Sequence, residues 1–252
     1  AARQLPRLER VVGGHLRLAL DQLGAAGATH AAFAGIGNAD ARGEGRIDDV
    51  AAWRPTTSLL VPAAMRALIE HPRWAAADLS SLHFINCGSQ IVPPSLIEAF
   101  HARGVPVAQV YGATETGPVT LVLRPDEAMA HVGSVGKPAL NVQVRLVNGE
   151  VQVRAPNLAG GYHRRPNDDA FADGWFRTGD LARVDADGFY EIVGRAMELI
   201  ISGGENIFPA EIENIALADA AVAEAAVVGL PDARWGEVAV LAVVPRAGFD
   251  ID

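Results

Sequence analysis

A chain of 252 residues is long enough to bury a full hydrophobic core and has room for one large domain or two smaller ones. Half of its residues are apolar, which excludes a disordered chain; 21 basic against 30 acidic residues give a net charge of −9 with no basic run, which excludes nucleic acid as the main partner. Cys87 is the single cysteine, so no intrachain disulfide forms, and the absence of any span-length apolar segment or signal-peptide core sets the expectation of a cytoplasmic protein without an integral membrane part.

In chain order, residues 11–23 carry Leu16, Ala19, Leu20 and Leu23 at helical spacing, with Gly24 placed to close the helix. Gly35-Ile36-Gly37 invites a nucleotide reading but lacks the third glycine, and Gly43-Glu44-Gly45 reads as a flexible connector. From Pro55 the pattern sharpens. A strand over 58–61 is followed by a helix from Pro62 to Ile69, a strand over 82–87, a helix opened by Pro93-Pro94 and ending near Gly104, and a strand over 105–110. That alternation predicts right-handed parallel crossovers in an open α/β sheet. Ligands of such sheets bind beyond the carboxyl ends of the strands, where Gly88-Ser89-Gln90 and Tyr111 to Glu115 fall. Gly133-Ser134-Val135-Gly136-Lys137 is too short for a phosphate loop, and Pro138 stands where a Ser or Thr is needed.

Residues 141–154 alternate apolar and polar around Asn148-Gly149, a hairpin signal that places an antiparallel subdomain after the parallel sheet. Asp173-Gly174 and Asp187-Gly188 are turn pairs, and the strands expected beside them run over 181–184 and 189–193. Asp180 is expected at a strand mouth, as a carboxylate able to accept two hydroxyl donors. Beyond Arg195 come Gly203-Gly204, Glu205-Asn206, a helix over 209–217 and strands over 221–228 and 237–244 with Pro231-Asp232 turning between them. A small α+β domain starting at 196, with a hinge near 196–198, is the expectation for this end of the chain.

Four ordered pieces, Tyr111-Gly112-Ala113-Thr114-Glu115-Thr116, Thr178-Gly179-Asp180, Gly194-Arg195 and the run from Ser202 to Glu213, resemble the motifs of the adenylate-forming superfamily of acyl-CoA synthetases, luciferases and peptide-synthetase adenylation domains. The resemblance covers about 55–252. It implies that residues 1–195 are the C-terminal part of the large adenylate-forming domain and that 196–252 begin the small mobile one. It also implies roles for residues. Tyr111 offers a face for adenine, and Gly88, Ser89, Gln90 and Gly112 let backbone approach the nucleotide. Thr114 meets phosphate and Glu115 binds Mg²⁺, while Asp180 holds the ribose diol. Arg195 bonds ribose or phosphate, with Ile192, Gly203 and Gly204 completing the cofactor-binding set.

The residues taken singly also carry plainer readings. Tyr111 could be a core aromatic at a strand end, Asp180 and Arg195 a structural pair across a hairpin, and Glu115 a carboxylate at a helix N-terminus. The Gly203 to Asn206 turn could simply cap the next helix. Cys87 reads as a buried small hydrophobe, the scattered histidines as no metal site, and Glu211 and Glu213 as a solvated face. The chain departs from the family at Met197 and Glu198, and it shows neither the lysine-bearing phosphate loop nor the late catalytic lysine. It reads either as a fragment or as a relative that has lost chemistry. The expected activity is an AMP-forming ligase that activates a fatty or aromatic acid with ATP, Mg²⁺ and coenzyme A, a function belonging to fatty acid metabolism. A carrier-loading adenylation domain and a non-catalytic nucleotide-binding relative remain open, and the oligomeric state is unread.

Overall fold

The computed structural model describes residues 44–164 and 169–249, so the helix expected over 11–23 and the Gly35–Gly37 loop lie outside the described residues. The expected connector at Gly43–Gly45 is not a loop throughout. Glu44 begins helix α1 (Glu44–Trp53), which buries Ile47 and Val50. That burial outweighs the ~1 kcal/mol that a helical glycine costs at position 45.

The first sheet follows from prolines and short buried runs. Strand β1 (Thr57–Leu60) leads into α2 (Pro62–Ile69), then β2 (Phe84–Cys87), α3 (Pro94–His101), β3 (Val107–Ala113), β4 (Gly117–Val122), α4 (Pro125–Ala128) and β5 (Lys137–Pro138). Pro62, Pro94 and Pro125 sit in the first turns of their helices, whose N-termini have no side-chain cap, so a preset φ does the work of a cap. The strands are ordered β1-β2-β3-β4-β5; the first three run parallel, while β4 and β5 are antiparallel to their neighbours. Met65 and Leu68 of α2 and Leu96, Ile97 and Phe100 of α3 pack on Ile85, Cys87 and Val107. Each such side chain contributes about 1.5–3 kcal/mol when fully buried. Cys87 is one of them, and its thiol is pushed up to about 12 by burial, which leaves it inert.

A pH dependence arises at the end of α3. The Val107 backbone N–H donates to Nε2 of His101 at 3.1 Å, and burial holds this imidazole below its ordinary value of 6.5. A depressed pKa means that the unfolded chain binds the proton more readily, so stability rises with pH through this group. It is fully present above 6.5 and is lost as pH falls through the lower folded value. Urea midpoints should therefore drop on acidification from neutrality, and His101→Gln should flatten part of that drop. Identical profiles for parent and variant would remove His101 as the cause.

The second sheet is ordered β10-β9-β7-β6, from β6 (Gln143–Val147), β7 (Glu150–Arg154), β9 (Trp175–Val184) and β10 (Tyr190–Arg195), with β8 (Phe171–Ala172) on β9. Asn148 and Gly149, at φ 53° and 82°, make the expected two-residue turn, and Val147 pairs with Glu150. Asp173-Gly174 makes the same kind of turn, with Ala172 opposite Trp175. β9 is much longer than the strand expected over 181–184. It begins at Trp175 and takes in the whole of Thr178-Gly179-Asp180, so Asp180 lies inside a strand and not at its mouth. The two sheets are tied by Val135 N–H to Tyr190 O and Tyr190 N–H to Gly136 O, each 2.8 Å.

After a single 3-10 turn at Ala196–Glu198 comes a third sheet, ordered β12-β11-β14-β13, from β11 (Ile200–Ser202), β12 (Glu205–Ile207), β13 (Val222–Asp232) and β14 (Gly236–Pro245), with α5 (Pro209–Leu217) before β13. The last hairpin is longer than expected. Pro231 and Asp232 remain in strand because β13 is an edge, where a missing N–H is tolerated, and Asp232 Oδ1 accepts from Arg234 and Trp235 N–H to make the turn. The solvated face assigned to α5 holds for Glu211, which stays exposed and pairs with an exposed Arg183 at 2.6 Å; Glu213 is a correction, because its Oε1 accepts from Val227 N–H at 2.8 Å and docks the helix on β13. The result is a mixed α/β molecule with a parallel-rich sheet, an antiparallel sheet and a smaller α+β unit.

Candidate nucleotide site

The three sheets enclose one side of a cleft of about 1230 Å³, whose walls include Ser89, Gln90, Tyr111, Gly112, Ala113, Asp180, Ile192, Gly194 and Arg195. Of Thr178-Gly179-Asp180, Asp180 lines the cleft and the other two hold it from behind. Thr178 Oγ1 donates to Val151 O at 2.8 Å and accepts from Asp180 N–H at 3.0 Å. Glu150 Oε1 accepts from Gly179 N–H at 3.1 Å, while its other oxygen pairs with Arg177. This local scaffold fixes the Asp180 carboxylate.

Both oxygens of that carboxylate are engaged. Oδ2 accepts from the Tyr111 hydroxyl at 2.7 Å, and Oδ1 pairs with Arg195 Nε at 3.0 Å. Burial, and then the nearby Asp180 charge, raise the Tyr111 phenol above its ordinary range, so it stays a neutral donor. Arg195 is the Cα partner of Asp180 across β9 and β10, the hairpin pairing anticipated as the plain reading. The same carboxylate nonetheless faces the cleft. The Asp180 side chain is 12% exposed and that of Arg195 is 61%, so the pair presents a sheltered anion beside an exposed, forked cation. An ionised carboxylate has about four lone-pair directions, which leaves capacity for further hydroxyl donors.

The glycines beside the cleft are there because backbone comes close. A Cβ on Gly88 would stand 2.5 Å from Val110 O, and one on Gly112 2.6 Å from Gly117 O. Ser89 follows at φ 74°, a strained conformation for a residue with a side chain. Gly88, Thr114, Glu115, Gly203 and Gly204 are not among the cleft walls. Glu115 is not at a helix N-terminus either; it lies in the loop between β3 and β4, and its Oε1 accepts from the Tyr162 hydroxyl at 2.6 Å. Gly203 turns the β11–β12 hairpin with its N–H on Trp235 O, and a Cβ there would meet the Trp235 ring at 2.6 Å.

A model of the family described as AMP-binding enzyme matches residues 25–163, and the AMP-binding enzyme C-terminal domain matches 211–252. The chain belongs to the AMP-binding enzyme family. The match begins upstream of the boundary expected near 55. An indoleacetate–CoA ligase of Aromatoleum aromaticum is 45% identical over 218 residues, covering 81% of this chain and 43% of the relative. A medium/long-chain fatty acid–CoA ligase of Mycobacterium tuberculosis is 41% identical over 209 residues, covering 77% and 37%. Among solved structures, the o-succinylbenzoate CoA synthetase of Bacillus subtilis with its acyl-adenylate intermediate superposes with a TM-score of 0.74 at 32% identity, covering 82% of this chain and 45% of that one. The chain thus spans less than half the length of these relatives.

Some residues that support the site had no role assigned from the sequence. Thr116, fully buried, accepts from Ala113 N–H at 2.9 Å and from Thr120 Oγ1 at 2.8 Å, and so shapes the loop that carries Thr114 and Glu115. Asn157 donates to Thr116 O at 2.8 Å, and Ala159 N–H to Glu115 O at 2.8 Å. The only signal for this segment was Gly160-Gly161 before Tyr162, which marks a loop and names no partner.

Proposed function

We propose that this chain is the adenylate-binding portion of an AMP-forming acid–CoA ligase acting on ATP, a fatty or aromatic carboxylic acid and coenzyme A. The single observation that carries the reading is the Asp180 carboxylate, buried in the cleft and held between Tyr111 and Arg195. In this reading Asp180 accepts from the ribose hydroxyls and Tyr111 lies against adenine. Gly88, Ser89, Gln90, Gly112 and Ile192 border the nucleotide, and Arg195 donates to ribose or phosphate. The acid's carboxylate attacks the α-phosphorus and pyrophosphate leaves; the coenzyme A thiol then attacks the acyl carbon and AMP leaves. Cys87 takes no part because its thiol is buried and protonated. Residues 1–195 and 196–252 are taken as parts of the large and small domains, with the 3-10 turn at Ala196–Glu198 as their hinge and Gly203-Gly204 carried on the moving side.

Magnesium fits a particular donor set here. No cluster of three or more acidic, histidine or cysteine side chains among the described residues makes a protein-only cage. A half-exposed Glu115 with one oxygen uncommitted, next to an exposed Thr114, suits an ion that takes one or two carboxylates and completes its shell with phosphate oxygens and water. Bound there, the ion would neutralise phosphate charge. Glu115→Gln keeps the shape and removes the anionic ligand, so it should raise the Mg²⁺ needed for half-maximal adenylation with the fold intact. An unchanged Mg²⁺ titration would make Glu115 structural. The function itself is tested by hydroxamate or pyrophosphate release across a panel of aryl and fatty acids, then thioester formation with free coenzyme A against a phosphopantetheinylated carrier. Nucleotide binding without turnover of any acid would replace a ligase with a binding module.

A further inference from the structure

Glu115 sits on a loop that must keep its carboxylate aimed without a helix or strand beneath it. What holds it is a segment 47 residues further along the chain, through the Tyr162 hydroxyl. We infer that Tyr162 is the positioning residue of the cation site: its O–H fixes Glu115 Oε1, leaving the other oxygen to face the metal and phosphate. This rests on the assignment of Glu115 to the cation.

Three observations converge. First, the segment is latched to the Glu115 loop along its backbone. Asn157 Nδ2 donates to Thr116 O and Ala159 N–H donates to Glu115 O, both at 2.8 Å. Second, the loop has been shaped to receive it, because a Cβ on Gly117 would stand 2.5 Å from Asn157 Nδ2. Third, the phenol ring is held from behind. It meets Phe171 edge-on at 5.4 Å and 75°, and Phe171 packs at 4.8 Å on Phe176, which is buried in the second sheet. The chain of aromatic contacts thus carries the rigidity of β8 and β9 to a hydroxyl 2.6 Å from the carboxylate. A partner that orients a metal ligand commonly accounts for ten- to a hundredfold of metal affinity. Tyr162 is 37% exposed, so water competes for the same carboxylate oxygen and the effect falls at or below the lower end of that range.

Tyr162→Phe keeps the ring and its contact with Phe171 and deletes only the donor. The probe is Mn²⁺ binding to the full chain with saturating ATP, followed by electron paramagnetic resonance, in the parent, Tyr162→Phe, Glu115→Gln and the double variant. Expected are a roughly three- to tenfold weaker Mn²⁺ affinity in Tyr162→Phe, unchanged metal-free ATP affinity, and no further loss when Tyr162→Phe is added to Glu115→Gln. A weakened Glu115→Gln beside a parent-like Tyr162→Phe overturns this inference and leaves the cation assignment standing. Equal additional losses in both backgrounds also overturn it, because Tyr162 would then act without Glu115. Parent-like Mn²⁺ binding in Glu115→Gln overturns the cation assignment itself, and this inference with it.

Discussion

Gly136→Ala is expected to destabilise the protein by about 3–5 kcal/mol, a large part of the ~5–15 kcal/mol that holds a typical domain folded. A Cβ at this position would stand 1.9 Å from Val122 O and 2.3 Å from Leu123 N. Both are backbone atoms at the end of β4, so no side chain can swing aside. The backbone at Gly136 also has φ +83°, which an L side chain resists. Relief by moving the loop would break the tie between sheets. Gly136 O accepts from Tyr190 N–H and its N–H donates to Ser134 Oγ, while Ser134 Oγ donates to Tyr190 O and Gln109 holds Ser134 O. The control is Gly133→Ala, which has a similar φ of +88° but nothing within 4 Å of the new atom, so only the conformational strain of about 1 kcal/mol applies. Urea unfolding read by two probes decides it: a Gly136→Ala midpoint no lower than that of Gly133→Ala means the overlap is relieved without breaking the tie.

The same run, Gly133 to Lys137, shows where the sequence runs out. Its glycines resemble a phosphate loop, and rejecting that reading from spacing left them without a role. The role of Gly136 is a backbone crossing between two sheets, a relation that no local pattern encodes. The parallel half was legible because Pro62 and Pro94 announce their helices, the run ending at Cys87 is buried on both sides, and the run ending at Leu60 is buried except at Leu59. The hairpins were legible because Asn148-Gly149 and Asp173-Gly174 adopt the left-handed conformations that two-residue turns require. Strand length was not. Gly179 reads as a terminator, yet it sits in mid-strand at φ +73°, where the β9–β7 register shifts and its N–H finds Glu150. Glu213 looked solvated because it is a charged residue on a helix; spacing puts it on the opposite face from Glu211, and only the approach of β13 supplies the Val227 N–H that it accepts. Tyr111, Asp180 and Arg195 were legible as motif members; that one carboxylate joins the other two was not.

That joint makes Asp180→Ala the substitution with the largest expected effect on ligand binding: adenine nucleotide affinity should fall roughly tenfold to a hundredfold, from the 1.5–3 kcal/mol of a charged hydrogen bond in a sheltered site. The fold should survive. Arg195 is 61% exposed, so its freed guanidinium goes to water, and only the Tyr111 hydroxyl is left short of an acceptor, at about 1–2 kcal/mol of stability. Asp180→Asn separates charge from shape, since the amide oxygen still accepts from Tyr111 while the pairing with Arg195 loses its charge. Tyr111→Phe makes the complementary cut by keeping the ring and the carboxylate and removing only the link between them. If Asp180 acts by accepting from ribose, calorimetric titration with ATP should show Asp180→Ala weakest, Asp180→Asn between it and the parent, and Tyr111→Phe nearest the parent. If the carboxylate only braces the hairpin, ATP affinity stays level across all three and the losses appear in unfolding midpoints alone. The distinction is physical: a brace is already satisfied by Tyr111 and Arg195, whereas a ligand-binding carboxylate must accept further hydroxyls through its remaining lone-pair directions.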